Sequence, residues 1–169
     1  LFTDDKINGV ILADETIVLS KTVILTSGTF LNGIMFLYFM FKGAIMKRLM
    51  IIVPCYNEQE VLPTTIEKLS SVIENLSNNG KISNDSGILF VNDGSTDDTW
   101  NIISNAHKNH TNIHGINLIL NSGHQNALLA GLEYSYKICD MTITIDADLQ
   151  DDVEAIIEMT KRFNEGYDI

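Results

Sequence analysis

Basic residues are scarce: 11 Lys and Arg stand against 22 Asp and Glu, a net charge of −11 at pH 7. A surface of that sign repels phosphate backbones and anionic bilayers, which excludes binding nucleic acid over a broad face. Cysteine is nearly absent. Cys55 and Cys139 lie far apart and form no CxxC pair, so two reduced thiols in a cytosolic protein are expected. The opening residues are acidic and polar rather than basic and then apolar, and predict no cleavable secretion signal. No GxGxxG fingerprint occurs, and no glycine- and lysine-rich phosphate loop follows the first long apolar run, which speaks against a flavin site and against a nucleotidyltransferase. What is present is ordinary for a globular protein: 169 residues, 45% hydrophobic and 20% charged, enough for one domain with an appendage.

The chain changes character near Met46. Before it, Val10–Leu12, Ile17–Leu19 and Val23–Leu25 read as short β segments split by Asp14-Glu15 and Ser20-Lys21. Residues 22–41 carry no charge and are flanked by Lys21 and Lys42. By length this stretch could span a bilayer, but Asn32, two glycines and several hydroxyl groups interrupt it, so a short β/apolar appendage is the preferred reading.

From Leu49 onward, apolar runs alternate with amphipathic patterns. Leu49–Val53 predicts a buried parallel strand ended by Pro54. The next helix holds Pro63 in its first turn and aligns Leu62, Ile66, Leu69, Val72, Ile73 and Leu76 on one face. Ile88–Val91 is the second strand; Ser95 and Asp98, at capping-box spacing, open the second helix. Ile116–Leu120 and Gln125–Tyr136 follow as strand and helix, then Met141–Ile145 and a helix capped by Asp151-Asp152 and ending near Gly166. This order predicts an α/β fold, a Rossmann-like parallel sheet with helices on both faces. Right-handed crossovers then bring four loops to one sheet edge: 54–58, 92–95, 121–126 and 146–151.

Those loops hold the unusual polar residues. Asp146 and Asp148, at i and i+2 after a strand, project to one side and can share Mg²⁺ or Mn²⁺, leaving positions for a diphosphate. Asp93 ends the second strand, where it is either a turn aspartate or an acceptor for a base N–H or ribose hydroxyl, with Gly94 allowing a close turn. Tyr56 can pack on a flat base, while Asn57 and Glu58 offer directional polar contacts; Glu58 reads equally well as a first-turn acid of the following helix. His107, His110 and His114 straddle a helix end rich in Lys and Asn and predict a solvated surface. His124, in the third loop, is a candidate contact for a phosphate or sugar.

Val-Pro-Cys-Tyr-Asn-Glu58, Val-Asn-Asp-Gly-Ser-Thr96, Asn-Ser-Gly-His-Gln-Asn-Ala-Leu128 and Asp-Ala-Asp-Leu-Gln-Asp151 resemble family 2 glycosyltransferases of GT-A fold. The closest likeness is to the bacterial branch related to dolichyl-phosphate mannose synthase. The resemblance covers residues 46–169; Asp152-Val153 departs from the two prolines frequent in that branch. It implies a nucleotide-sugar donor, UDP- or GDP-linked, with Pro54, Tyr56, Asn57, Glu58 and Asp93 in its pocket. Asp146, Ala147, Asp148 and Gln150 complete the donor set, and Asp146 and Asp148 serve as metal ligands for Mg²⁺ or Mn²⁺. It also implies a polyprenyl-phosphate acceptor, a site at the cytoplasmic face of the membrane, and an acceptor-binding half beyond Ile169, so the catalytic residues are unknown. Residues 9–33 resemble a fragment of FAD-dependent tRNA-uridine carboxymethylaminomethyl-modifying enzymes, and 1–45 are expected to be a fusion or gene-boundary piece. The rival readings are a non-catalytic sugar-nucleotide-binding fragment, a nucleotidyltransferase, and a flavoprotein defined by its amino-terminal piece.

Overall fold

The computed structural model describes residues 2–3, 6–7, 9–11, 17–19, 46–150 and 152–167. The chain divides into two compact units, Leu1–Ile45 and Met46–Ile169. In the first, β1 (Phe2–Thr3) pairs antiparallel with β2 (Lys6–Ile7), and β3 (Gly9–Ile11) pairs antiparallel with β4 (Ile17–Leu19). The expected strand at Val23–Leu25, the uncharged stretch 22–41 and the cap at Asp151 lie outside the described residues. Among the described residues, no helix is long and apolar enough to cross a membrane.

The second unit is built on four parallel strands: β5 (Leu49–Cys55), β6 (Gly87–Asp93), β7 (Ile113–Leu118) and β8 (Met141–Thr144), in the order β7-β6-β5-β8. Between and after them run α1 (Leu62–Asn78), α2 (Thr99–Asn109), α3 (His124–Tyr136) and α4 (Glu154–Glu165). Every residue of β5 and β6 is buried, as strands covered on both faces must be. Alternate residues serve opposite faces. Leu49, Ile51, Val53, Ile88 and Phe90 pack with Leu69, Ile73, Ile103 and Ile156 of α1, α2 and α4. Met50, Ile52, Leu89 and Val91 pack with Ala127 of α3. Gly131 lets α3 lie close to the sheet, since a Cβ there would meet Ile52 Cγ2 at 2.5 Å.

The handedness of crossovers explains the division. The chain steps from β5 to β6 to β7 in one direction, placing α1 and α2 on one face; it returns from β7 to β8 in the other direction, placing α3 on the opposite face. The reversal occurs between β5 and β8, and an open α/β sheet offers a crevice beyond the carboxyl ends of two such strands.

Local expectations need four corrections. β5 does not stop at Pro54: it pairs with β6 as far as Cys55, while its β8 pairing ends at Ile52. Ile52 turns its carbonyl to the β8 side, and Pro54, two residues on, faces the same side beyond the last β8 partner, so its missing N–H costs no ladder bond. The third strand is Ile113–Leu118 rather than Ile116–Leu120, because pairing with β6 aligns Ile88 with Ile113 and Asp93 with Leu118. Ile119 and Leu120 are left 94% and 74% exposed. Ser95 and Asp98 form no capping box. Ser95 Oγ instead accepts the Asn57 amide at 2.9 Å, and Asp97 Oδ1 accepts the Thr99 amide at 3.0 Å. The last strand ends at Thr144, one residue early. The final helix ends as expected, with Gly166 left-handed at φ 97°.

Candidate functional site

Residues from all four strand-end loops line one cavity of about 260 Å³ at the β5–β8 crevice: Pro54, Cys55, Tyr56, Glu58, Asp93, Asn121, Gly123, His124, Asp146, Ala147 and Asp148. A larger cavity of about 440 Å³ runs along the outer edge of β8. Its lining of Asp140, Met141, Thr142, Ile143, Thr144, Met159 and Phe163 includes one carboxylate and no strand-end loop, so the convergent chemistry belongs to the smaller one.

The first loop is sewn to the second. Asn57 sits in the left-handed region at φ 57°. Its amide donates to Ser95 Oγ, and its side-chain oxygen accepts the Thr96 amide at 2.9 Å. Next, the Glu58 amide donates to Thr99 Oγ1 at 2.8 Å and the Gln59 amide to Asp97 Oδ2 at 3.2 Å; Gln59 Oε1 accepts the Asp98 amide at 3.0 Å. Hydrogen bonds from Thr99 and Gln59 hold the Asp97 carboxyl below its ordinary range, outweighing the upward pull of its slight desolvation. These bonds fix Tyr56, which is 46% exposed, at the cavity mouth and turn Glu58 toward the fourth loop. Glu58 precedes α1, which begins at Leu62 and has no acid in its first turn, so the helix-acid reading of Glu58 does not hold. Its carboxyl is pushed up, first by burial and then by the charges of Asp148, Asp97 and Asp146.

The fourth loop is a turn closed by the Leu149 amide on the Asp146 carbonyl at 3.2 Å, with Leu149 left-handed at φ 51°. Asp146 and Asp148 thus share a side through a turn beyond the strand, not through strand alternation. The turn is pinned from below: Thr65 Oγ1 of α1, buried, donates to the Ala147 carbonyl at 2.5 Å. Both carboxylates stay exposed. His124 Nε2 stands 4.0 Å from Asp146 Oδ1. Asp93, 3% exposed, closes the far wall with Oδ1 on the Ser122 amide at 2.7 Å and Oδ2 on the Gly123 amide at 2.9 Å.

Of the residues singled out from sequence, Pro54, Tyr56, Glu58, Asp93, Asp146, Ala147 and Asp148 therefore line one cavity. Asn57 and Gln150 do not line it; Asn57 ties two loops, and the Gln150 amide donates to Asp148 Oδ1 at 3.1 Å. His107 and His114 lie elsewhere, with His107 Nδ1 2.6 Å from the Ile113 carbonyl. Thr65, Ser95, Asp97, Thr99 and Asn121 were not anticipated. Ser95 stands in the sequence as a helix cap and Asn121 as part of the 121–126 loop, and Thr65 shows as a hydroxyl three residues after Leu62 on the buried face of α1.

Among the described residues, no group of three or more His, Cys, Asp or Glu side chains is assembled to hold a metal ion. The donor set nonetheless fits one. Asp146 and Asp148 present hard oxygens to solvent, and their charges raise the Glu58 carboxyl, an excess of negative potential that a divalent cation would relieve.

The family described as Glycosyl transferase family 2 matches residues 50–169. The uncharacterized glycosyltransferase YkoT of Bacillus subtilis strain 168 is 44% identical over 121 residues, 72% of this chain and 36% of that protein. A second protein of that strain, the uncharacterized glycosyltransferase YkcC, is 36% identical over 119 residues, 70% of this chain and 34% of that one. The crystal structure of S. aureus TarS 1-349 superposes with a TM-score of 0.53 at 20% identity, covering 70% of this chain and 32% of that one, a likeness of fold. The chain spans about a third of the length of the curated relatives it matches.

Proposed function

We propose, from the premise that this chain belongs to glycosyl transferase family 2, that the cavity between β5 and β8 binds the nucleotide-sugar donor of a sugar-transfer reaction. The observation that carries the reading is the convergence of Tyr56, Glu58, Asp93, Asp146 and Asp148 on one cavity at the sheet's switch point. In this arrangement Pro54 and Tyr56 form the nucleoside end, with the half-exposed Tyr56 ring offering a face for a base. Asp146 and Asp148 form the diphosphate end, and Ala147 keeps them in place through its carbonyl bond to Thr65.

Asp146 and Asp148 would hold Mg²⁺ or Mn²⁺, which when bound would neutralise charge on a departing nucleoside diphosphate. The chain's own groups bind and orient. The stitched 57–59 and 95–99 loops keep Glu58 at the cavity's side, and His124 flanks Asp146 within reach of a phosphate. A polyprenyl phosphate, the acceptor proposed from the likeness to the dolichyl-phosphate mannose synthase branch, brings an anionic oxygen and needs no general base. Transfer by the whole protein at the cytoplasmic face of a membrane belongs to the same proposal, as does the reading of residues 1–45 as a gene-boundary appendage unrelated to donor binding.

Thermal-shift titration with UDP- and GDP-linked sugars, each with and without MnCl₂, tests the reading. A Mn²⁺-dependent rise in melting temperature with one nucleotide class is expected. No shift with any nucleotide sugar in the presence of metal would sink it.

A further inference from the structure

Exposed apolar surface is concentrated on one segment. Of the ten large apolar side chains exposed among the described residues, six lie between Ile119 and Tyr136, in the approach to α3 and on the helix itself. α3 is built with its small residues inward. Ala127, Gly131 and Ser135 are buried against the sheet, and Gly131 admits the close approach. Leu129, Leu132 and Tyr136 recur at i, i+3 and i+7 on the opposite side, 52%, 36% and 86% exposed. With Glu133 and Lys137 they line a groove of about 350 Å³. Ile119 and Leu120, also exposed, lie just ahead of the helix, next to Asn121 of the donor cavity.

The same segment is electrically neutral in an acidic chain. Residues 111–139 hold one acid, Glu133, and one base, Lys137, against a net charge of −11 for the whole. A partner that meets this face meets no excess of like charge. Size decides what kind of partner fits. A 13-residue helix is about 20 Å long and about 10 Å across, so the stripe offers roughly 200 Å², a quarter of the ~800 Å² that each side of a specific protein complex buries. A lipid surface asks for no matched shape. Aliphatic side chains enter the acyl boundary, a tyrosine rests at headgroup level, and a lysine stem reaches back to water. No helix among the described residues can cross a bilayer, so contact through α3 lies in the plane of the interface.

We propose that the outer face of α3, with Ile119 and Leu120 at its amino end, is an interfacial docking surface for a zwitterionic lipid bilayer and sets the mouth of the donor cavity at the headgroups. The inference rests on the donor-site reading only for what the docking serves; the docking itself does not depend on it. It also fixes the lipid preference. Apolar insertion by an otherwise acidic chain favours neutral over anionic headgroups.

Flotation of the 169-residue chain with phosphatidylcholine vesicles, without nucleotide or metal, tests the proposal. The chain should float with the vesicles. Leu129→Gln, Leu132→Gln and Tyr136→Gln combined should lower the partition coefficient about 10-fold or more, as should Ile119→Ser with Leu120→Ser. Tyr136→Gln alone, at a site too exposed to disturb the fold, should lower it about 3-fold. Met159→Gln, on α4, should leave it unchanged. Mixing phosphatidylglycerol into the vesicles should weaken binding, and added salt should restore part of it. A chain that stays out of the vesicle fraction would overturn the proposal. Unchanged partition in Tyr136→Gln or in either combined variant would do the same, by assigning lipid contact to another segment. Tighter binding to the anionic vesicles is a third refutation. Sedimentation velocity without lipid reads the rival occupant: a concentration-dependent dimer that the α3 variant abolishes would make this face a contact between copies of the chain and overturn the lipid assignment. Nucleotides are absent throughout, so a failure of donor binding leaves each of these outcomes decisive.

Discussion

Replacing Thr65 by valine should loosen the acidic turn from beneath without touching it. The Thr65 hydroxyl has one proton, and the Ala147 carbonyl at 2.5 Å is a nearer acceptor than the Val61 carbonyl at 3.1 Å. Valine fills the same volume and has a similar helix propensity, so the change removes a hydrogen bond and little packing. It leaves a carbonyl unpartnered below Ala147, a residue 3% exposed, which costs about 1–3 kcal/mol. For a chain of 169 residues that corresponds to a fall in melting temperature of roughly 2–12 °C. Thr160→Val is the internal control. Its hydroxyl, also buried, donates at 2.8 Å to the Ile156 carbonyl in its own helix, a back-bond whose loss is close to neutral. Thermal denaturation followed by circular dichroism reads both variants, and calorimetry reads their affinity for Mn²⁺ with UDP. Thr65→Val should melt lower than Thr160→Val and bind more weakly. Equal melting temperatures for the two variants, or a Thr65→Val chain within about 1 °C of the parent, would refute the argument that this hydroxyl supports the turn.

Asp148→Asn should abolish Mn²⁺-dependent nucleotide-sugar binding without lowering the melting temperature, because Asp148 is exposed; unchanged calorimetric binding refutes the assignment. Glu58 carries a raised carboxyl pKa in the folded chain, so the unfolded chain releases that proton first. The stabilisation is complete below the ordinary value of 4.5 and is lost as pH rises through the folded value. Glu58→Gln should therefore melt higher than the parent at pH 7, with the difference vanishing near about pH 4 and narrowing when MnCl₂ is added; a pH-independent difference contradicts this. Gly94→Ala combines a left-handed φ of 63° with a Cβ 2.4 Å from the Asn121 nitrogen, and should cost about 2–4 kcal/mol in urea denaturation. Gly123→Ala, at φ 90° with nothing within 4 Å, should cost only the strain, about 1–2 kcal/mol; equal losses would contradict the close-approach argument. A chain beginning at Met46 should unfold in a single cooperative transition, and loss of that cooperativity would show that residues 1–45 are integral.

The alternation of elements was legible because Leu49–Val53 and Ile88–Val91 are continuous apolar runs, the pattern that burial on both faces imposes. β7 was placed three residues late because Ile116, Leu118, Ile119 and Leu120 form the denser apolar segment. Register there is decided by the backbone of β6, to which Ile113 and Gly115 pair whatever lies beyond Leu118. The acidic pair and Tyr56 were visible because their loops follow strands. The supports were not. Ser95 looked like a helix cap until Asn57, 38 residues earlier, claimed its hydroxyl. Thr65 meets Ala147 across 82 residues, and Asp93 meets Ser122 across 29. Patterns with periods of two or four residues carry no information about such meetings.

The seams between the strand-end loops have an engineering consequence: none of these loops is a portable module. A 54–59 turn moved out of this chain into another would arrive without the Ser95, Asp97 and Thr99 groups that receive its amides. A foreign 121–123 segment would require a carboxylate waiting at position 93 and a glycine at 94. Chimeras with a crossover between residues 59 and 95, or between 94 and 121, should therefore lose function more often than those cut elsewhere. Libraries aimed at new donors should vary the paired segments together.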